Sequence, residues 1–387
     1  MGAGKAVAGI AAIIIVASLL FTPVGHSFLD YVFEGSARYP EDSHYEMDRN
    51  VSVTLHNEKM TYSVTIPKAT DYVVDGITLQ KINSQSSLNS YEEFSDYGID
   101  WIRWNGANVS AKETFTSNIS YDVDCYSHVW DIDESNSLNV DYIQQNLNGS
   151  LSSMKSYLIS ESGDGSEWIP TITGWNNGYV IYTGGEIREL ADEIVGSETN
   201  VYSILKLIYL WIDDNISYKE YGGIPQTALQ LLHSKRGDCD DQSVLFCSLA
   251  RAAGVPAWLE MGALYNTSKG TWINHVWTQA YIPTTEGGSK VTIDVVNNNF
   301  LVHTSRLFHL ATDIGDGDFL NMYYNMYHYT YKLQDSKITT SDSYKTHDVI
   351  DSKNFLTISR PHQGFDFPTI FSVDCTSLQR KQFTAFT

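Results

Sequence analysis

The sequence predicts an α+β protein in which an antiparallel β-sandwich-like unit precedes a block of helices and then strands. Three observations predict this. Apolar residues alternate with period two between about residues 45 and 135. From Ile187 the period lengthens to 3.6 and holds through successive segments, and after Gly254 and Pro256 the alternation returns. Helices gathered ahead of strands, rather than interleaved with them, describe α+β packing and not a parallel βαβ sheet.

At 387 residues the chain can hold two or three domains and at least one large core. Lys+Arg 25 against Asp+Glu 46 leave a formal net charge of −21. Such a surface repels phosphate backbones, which excludes nucleic acid as a partner class. Charged residues are only 18% of the chain, so the acidity belongs to a folded surface rather than a disordered tail.

Residues 1–28 carry an address. The run AVAGIAAIIIVASLLF, Ala6 to Phe21, reaches spanning length if Thr22–Val24 join it. A removable signal should show small residues just beyond the run, and Gly25 and Ser27 fit that loosely. An uncleaved membrane anchor is the reading preferred, with a signal segment of a secreted protein as the alternative. Lys5 precedes the run while Asp30 and Glu34 follow it, so the body is expected outside the cytoplasm. Six Asn-x-Ser/Thr sites (Asn50, Asn108, Asn118, Asn148, Asn215 and Asn266) add little. Roughly four would arise by chance in a chain of this composition.

Residues 45–135 make the β-sandwich-like domain. Val51, Val53 and Leu55, then Met60, Tyr62, Val64 and Ile66, mark two half-buried strands around His56–Lys59. Phe115, Ile119, Tyr121, Val123 and Cys125 share one face of a third. Residues 136–180, rich in Ser, Asn and Gly, read as a connector with a short helix. The next domain, residues 181–304, begins with Ile187, Leu190, Ala191, Ile194 and Val195 on one helical face, stopped by Gly196. Val201, Ile204, Leu205, Ile208 and Ile212 form a second stripe ending near Asn215. A third helix covers Pro225 to His233, and a fourth starts after Gly237. Strands follow at Ala257–Leu264, Thr271–Ile282 and Lys290–Val296. Residues 305–387 are Tyr-rich and mixed, expected as further strands and loops.

The chemistry is carried by KRGDCDDQS, Lys235 to Ser243. Cys239 would occupy the first turn of the fourth helix, where unpaired N–H groups and the positive end of the dipole favour thiolate. Aspartates suit the same turn because they cap and balance that dipole. Successive helical residues turn by about 100 degrees, so Asp240 and Asp241 are expected to point away from the sulfur. Residual repulsion would still raise the thiol, which therefore needs a cationic partner, and histidine is the natural one. A disulfide to Cys247 is excluded: eight helical residues separate the two by about 12 Å, and a bridge needs about 7 Å or less. Cys125 and Cys375 sit on apolar strand patterns and could pair outside the cell; Cys247 reads as a small buried hydrophobe.

TWINHVWTQAYIP holds His275, and KVTIDVVNN holds Asp294. Between them Thr284-Thr285-Glu286-Gly287-Gly288 signals a hairpin. A turn centred on Thr284-Thr285 sets His275 and Asp294 directly opposite on one face, with an offset of one pair or a bulge allowed by the later glycines. Cysteine, histidine and carboxylate then form the nucleophile, base and orienter of covalent amide chemistry. A zinc site built from the same three residues is the alternative, weakened by the absence of closely spaced ligand pairs. Asp313, Asp316 and Asp318 have a calcium-like composition but not the spacing. Metalloprotease H-E-x-x-H and serine-hydrolase G-x-S-x-G are both missing.

GDCDDQSVLFCSLARAAGVPAW, NHVWTQAYI and VTIDVV resemble the transglutaminase-like superfamily. IRELADEIVG, YLWIDDNISY and PQTALQLLHSKRGDC are similar to the helices that precede that family's cysteine. The resemblance spans about Ile187 to Asn298. It implies a papain-related core with Cys239 as nucleophile, His275 as general base and acid, and Asp294 as its orienter, without any cofactor. It also implies a second oxyanion donor upstream, for which Trp211, Tyr218, Tyr221 and Gln226 are candidates and Tyr218 is preferred. Family members cross-link proteins, cleave peptide bonds or remove glycans, all through an acyl-enzyme. A peptidase or amide hydrolase acting on protein or peptide at the cell surface is expected first, because water is always available. A protein-crosslinking transglutaminase comes second, and a non-catalytic adhesion or assembly module is the reading from another class.

Overall fold

Residues 36–55, 60–109, 113–162, 179–220, 225–315 and 338–359 are described by the structure, a computed structural model. The N-terminal apolar run, Tyr221 and Cys375 lie outside these residues, as do Asp316 and Asp318. Among the described residues no helix is long and apolar enough to cross a membrane.

Among the described residues the β-rich unit draws seven of its strands from the segment before residue 127: β1 (Asp42–Leu55), β2 (Met60–Pro67), β3 (Tyr72–Val74), β4 (Ile77–Ser87), β5 (Glu92–Asp96), β6 (Ile99–Val109) and β7 (Thr114–Tyr126). Alternation along β7 buries Ile119, Tyr121, Val123 and Cys125 on one side, as period two demands. The strands at Val51–Leu55 and Met60–Ile66 do not pair with each other. β1 belongs to a five-stranded antiparallel sheet, and β2 joins β6 and β5 in a three-stranded one. Trp104 of the smaller sheet meets Phe115 of the larger, ring centroids 6.1 Å apart, so the two face across a core.

The helical block contains α1 (Gly185–Val195), α2 (Val201–Asn215), α3 (Ala228–Ser234) and α4 (Cys239–Ala252). Two short strands, β8 (Ser217–Tyr218) and β9 (Arg236–Gly237), pair in parallel beside α3. A second five-stranded sheet follows: β10 (Ala257–Asn266), β11 (Thr271–Thr284), β12 (Gly287–Asp294), β13 (Asn299–Phe300) and β14 (Leu307–Thr312), in the order β13-β12-β11-β10-β14. Every residue of α4 from Asp240 to Ala252 is buried. A helix enclosed on all sides is a core element, not a surface one with a single apolar stripe.

The chain after residue 305 divides between the two units. β14 completes the sheet under α4, and β15 (Ile338–Asp351) pairs with β1 as an edge of the sandwich sheet. One half of that long sheet covers the three-stranded sheet while the other half packs on the α4 unit. There Tyr45 meets Trp272 at 4.8 Å and Tyr121 meets Phe308 at 5.2 Å. Buried Gln80 fixes the join: its Oε1 accepts the His309 N–H at 2.7 Å and its Nε2 donates to the His309 carbonyl at 3.0 Å. A side-chain amide that satisfies both backbone groups of one residue acts like an added rung of sheet.

Candidate active site

The thiol is placed by a crowded turn. Lys235, at φ 55°, ends α3, and Tyr218 pairs with Gly237 immediately before α4. A Cβ on Gly237 would stand 2.6 Å from Asp241 Cβ and 2.7 Å from Leu231 Cδ1, so only glycine lets the chain pass. Asp238 is the N-cap, and its backbone N–H donates to Asp241 Oδ2 at 3.2 Å. Cys239 is therefore the first residue of α4, half-buried, with its own N–H among the unpaired donors of the helix end.

His275 and Asp294 come from neighbouring strands, but not from opposite positions. The hairpin pairs Thr284 with Gly287, so the turn centres on Thr285-Glu286, one residue later than the sequence suggested. That moves the register by two and leaves the shared face unchanged. Thr278 pairs with Ile293, which places Asp294 level with Trp277 and diagonal to His275. The diagonal is short enough for a bond: His275 Nε2 lies 2.8 Å from Asp294 Oδ2, with the two residues only 3% and 2% exposed. The Trp277 indole lies nearly parallel to the imidazole, centroids 6.0 Å apart.

β12 ends at Asp294, so β11 loses that neighbour before Val276. The helix end fills the gap. The Val276 N–H donates to the Cys239 sulfur, and the Val276 carbonyl accepts Ser243 Oγ at 3.3 Å. One peptide unit thus ties the first turn of α4 to the strand that carries His275. Burial pushes the thiol well above its ordinary value, and the Asp240 and Asp238 charges push it further; the Val276 amide opposes them. The residual repulsion expected of the first-turn acids is present, because even side chains on different faces of that turn remain within electrostatic reach. Asp241 does turn away, yet inward. It accepts the Gln226 N–H at 2.6 Å and Gln226 Nε2 at 2.7 Å, and burial followed by the Asp238 charge raises it to about 6.

Of the candidate oxyanion donors, Gln226 is committed to Asp241, the Arg236 carbonyl and Ser234. Trp211 lies under the Lys235 ammonium at 4.4 Å. Tyr218 is 47% exposed and sits beside Gly237. Burial raises its hydroxyl, so it is a neutral O–H group. Cys239, His275 and Asp294 do not bring three ligand atoms within 4.8 Å of one another. Among the described residues the acidic, histidine and cysteine groups close enough to share an ion are Asp238, Asp240 and Asp241, within 4.8 Å of one another. Cys125 and Cys247 are buried and make no disulfide among the described residues.

Asn297 was not anticipated. It donates from its backbone to Asp294 Oδ1 at 3.3 Å and from Nδ2 to Oδ2 at 2.8 Å. The signal was present in the Asn297-Asn298 turn that follows Asp294 by three residues.

Residues 188–290 match the family model of the transglutaminase-like superfamily. This segment belongs to that superfamily. The transglutaminase-like domain so defined runs from α1 into β12 and contains both Cys239 and His275. No curated protein matches the chain. A candidate cysteine protease from Cytophaga hutchinsonii, 18% identical, superposes over 89% of this chain and 98% of its own with a TM-score of 0.51. The shared fold therefore includes the sandwich together with the transglutaminase-like domain. The periplasmic domain of TgpA from Pseudomonas aeruginosa aligns at 11% identity over 67% of this chain and 90% of its own, with a TM-score of 0.28. A candidate protease from Parabacteroides distasonis aligns at 12% identity over 68% of this chain and 47% of its own, with a TM-score of 0.26.

Proposed function

We propose that the protein is a thiol enzyme that opens amide bonds through Cys239, His275 and Asp294 by way of an acyl-enzyme, and that water resolves it. The observation that carries this reading is the His275 Nε2 to Asp294 Oδ2 bond of 2.8 Å, next to the peptide N–H that the Cys239 sulfur accepts. With Nε2 committed to the carboxylate, proton exchange with the thiol passes through Nδ1.

The steps follow from that geometry. The thiol is held neutral by burial and nearby acids, so its proton leaves during attack rather than before it. Sulfur bonds to the carbonyl carbon, the proton moves to His275 Nδ1, and Asp294 stabilises the imidazolium. The oxyanion meets the Cys239 backbone N–H and the Tyr218 hydroxyl. Collapse breaks the C–N bond, and His275 returns the proton to the departing amine. Water then adds to the thioester with His275 as base, releasing acid and thiol. An amine in place of that water would give transamidation.

The apolar run before residue 22 supports a membrane-anchored protein whose enzyme domain faces outward, with surface proteins or peptides as substrates, which excludes cytosolic glycan removal. The test is incubation of the parent and Cys239→Ala with a small labelled amine and candidate surface proteins. New termini formed only by the parent support hydrolysis. Amine incorporation redirects the reading to transfer. If neither appears and Cys239 alkylates no faster than Cys125 and Cys247, the enzyme reading fails.

A further inference from the structure

Asp294 is held by more than its histidine. β12 and β13 form a hairpin whose closing pair is Asp294 with Asn299, and residues 295–298 are the loop between them. Asn298 stands at φ 54°, and its N–H returns to the Val295 carbonyl at 3.0 Å. This tight reversal folds Asn297 back over the carboxylate, giving the two bonds of 3.3 and 2.8 Å. Asn297 Nδ2 also lies 3.2 Å from His275 Nε2, so two N–H groups converge on one carboxylate oxygen. The reverse amide orientation would set the Asn297 Oδ1 against that oxygen, acceptor to acceptor. Among the described residues the ion-pair partner of Asp294 is His275.

We propose that Asn297 is a positioning residue for the thiol reaction: it holds the Asp294 carboxylate aimed at His275 Nε2 and so fixes the imidazole toward Cys239. The proposal rests on the reading of Cys239, His275 and Asp294 given above. A neutral amide suits the task for a physical reason. It supplies hydrogen bonds to a buried carboxylate without cancelling the negative field that the imidazolium needs, whereas lysine or arginine would cancel it.

Two variants of the full chain separate positioning from packing. Asn297→Asp keeps the side-chain shape but sets a second carboxylate beside Nε2. The imidazolium is then favoured, and His275 keeps its proton to higher pH than in the parent. Histidine-labelled protein followed by NMR reads this directly, with the His275 signal assigned by its loss in His275→Gln. Asn297→Ala removes the Nδ2 donor, and alkylation of Cys239 by iodoacetamide slows about tenfold, the worth of one hydrogen bond to a charged group. A His275 titration unmoved in Asn297→Asp, or a Cys239 rate unchanged in Asn297→Ala, overturns the proposal. If the titration moves while Cys239 of the parent reacts no faster than Cys125 and Cys247, the enzyme reading fails and the role in the thiol reaction falls with it, leaving only the hydrogen bonds of Asn297 to Asp294.

Discussion

His275 bonds Asp294 across a diagonal of the sheet, at 2.8 Å, while Trp277 occupies the position level with the carboxylate. A diagonal pair depends on side-chain aim more than a directly opposed pair does, because its Cβ atoms start about 7 Å apart. Asp294→Asn keeps the volume but offers an amide to Nε2, which favours the wrong imidazole tautomer. Turnover is expected to fall by about a thousandfold or more with little change in KM, since ground-state binding does not use this contact. Steady-state kinetics on the substrate found in the incubation test checks the split between kcat and KM.

The Asp240 charge is, after burial, the first influence that raises the Cys239 thiol. Removing a negative charge makes the thiolate easier to form, so the pH profile of iodoacetamide alkylation should move to lower pH in Asp240→Asn. The variant retains an Oδ1 acceptor for the Asp241 N–H that Asp240 now bonds at 2.8 Å. Loss of the acid from the first turn costs about 0.5 kcal/mol of helix stability. A profile that stays in place would show that the sulfur does not feel this carboxylate.

The transglutaminase-like block was legible because its signals are local. Gly196, Gly237 and Gly254 delimit helices, and period two marks β10, β11 and β12 within about three residues of their ends. The shared face of His275 and Asp294 was legible for the same reason, since parity survives an even shift of register. What escaped depends on contacts far apart in sequence. Nothing in β1 or β2 announces that they enter different sheets, and nothing near residue 340 says that β15 returns to β1. The inward turn of Asp241 follows from Gln226, fifteen residues upstream on a separate segment. Asn297 escaped because an Asn-Asn turn reads first as loop chemistry, and only the hairpin shows which carboxylate lies beneath it.

His303 is buried, and burial, with smaller effects from His309 and His128, pushes it down to about 3. In the unfolded chain a histidine takes up its proton near pH 6.5, whereas here it stays neutral. Above that pH both states are neutral and the residue contributes nothing to the pH dependence. Below it the unfolded chain alone binds the proton, so stability falls by about 1.4 kcal/mol per pH unit until pH approaches the folded value. His44 acts in the opposite sense. A hydrogen bond to Asp124 raises it, so its contribution is present below its unfolded value and lost as pH rises through the folded one. That pair is partly solvated and worth about 0.5 kcal/mol. His303→Gln should therefore lose less stability between pH 7 and about 4.5 than the parent, measured by urea unfolding at the two pH values.

Arg251, at the far end of α4 from Cys239, is enclosed with two carboxylates. It bonds Glu161 through Nη1, and its Nη2 lies 3.7 Å from Asp313 Oδ2, with all three side chains at most 1% exposed. Its Nε donates to the Ala257 carbonyl at 2.7 Å, so the guanidinium also fixes the entry into β10. Arg251→Met leaves two buried negative charges with no cation between them, and a loss of about 3–5 kcal/mol is expected. Glu161→Gln keeps an acceptor for Nη1 and leaves Asp313 to balance the charge, so it should cost much less. Twelve helical residues separate Arg251 from Cys239, about 18 Å along the axis. The alkylation rate of Cys239 in folded Arg251→Met protein should accordingly match the parent, while its urea midpoint falls. A slowed thiol in protein that is still folded would show instead that the ion cluster sets the position of the whole helix.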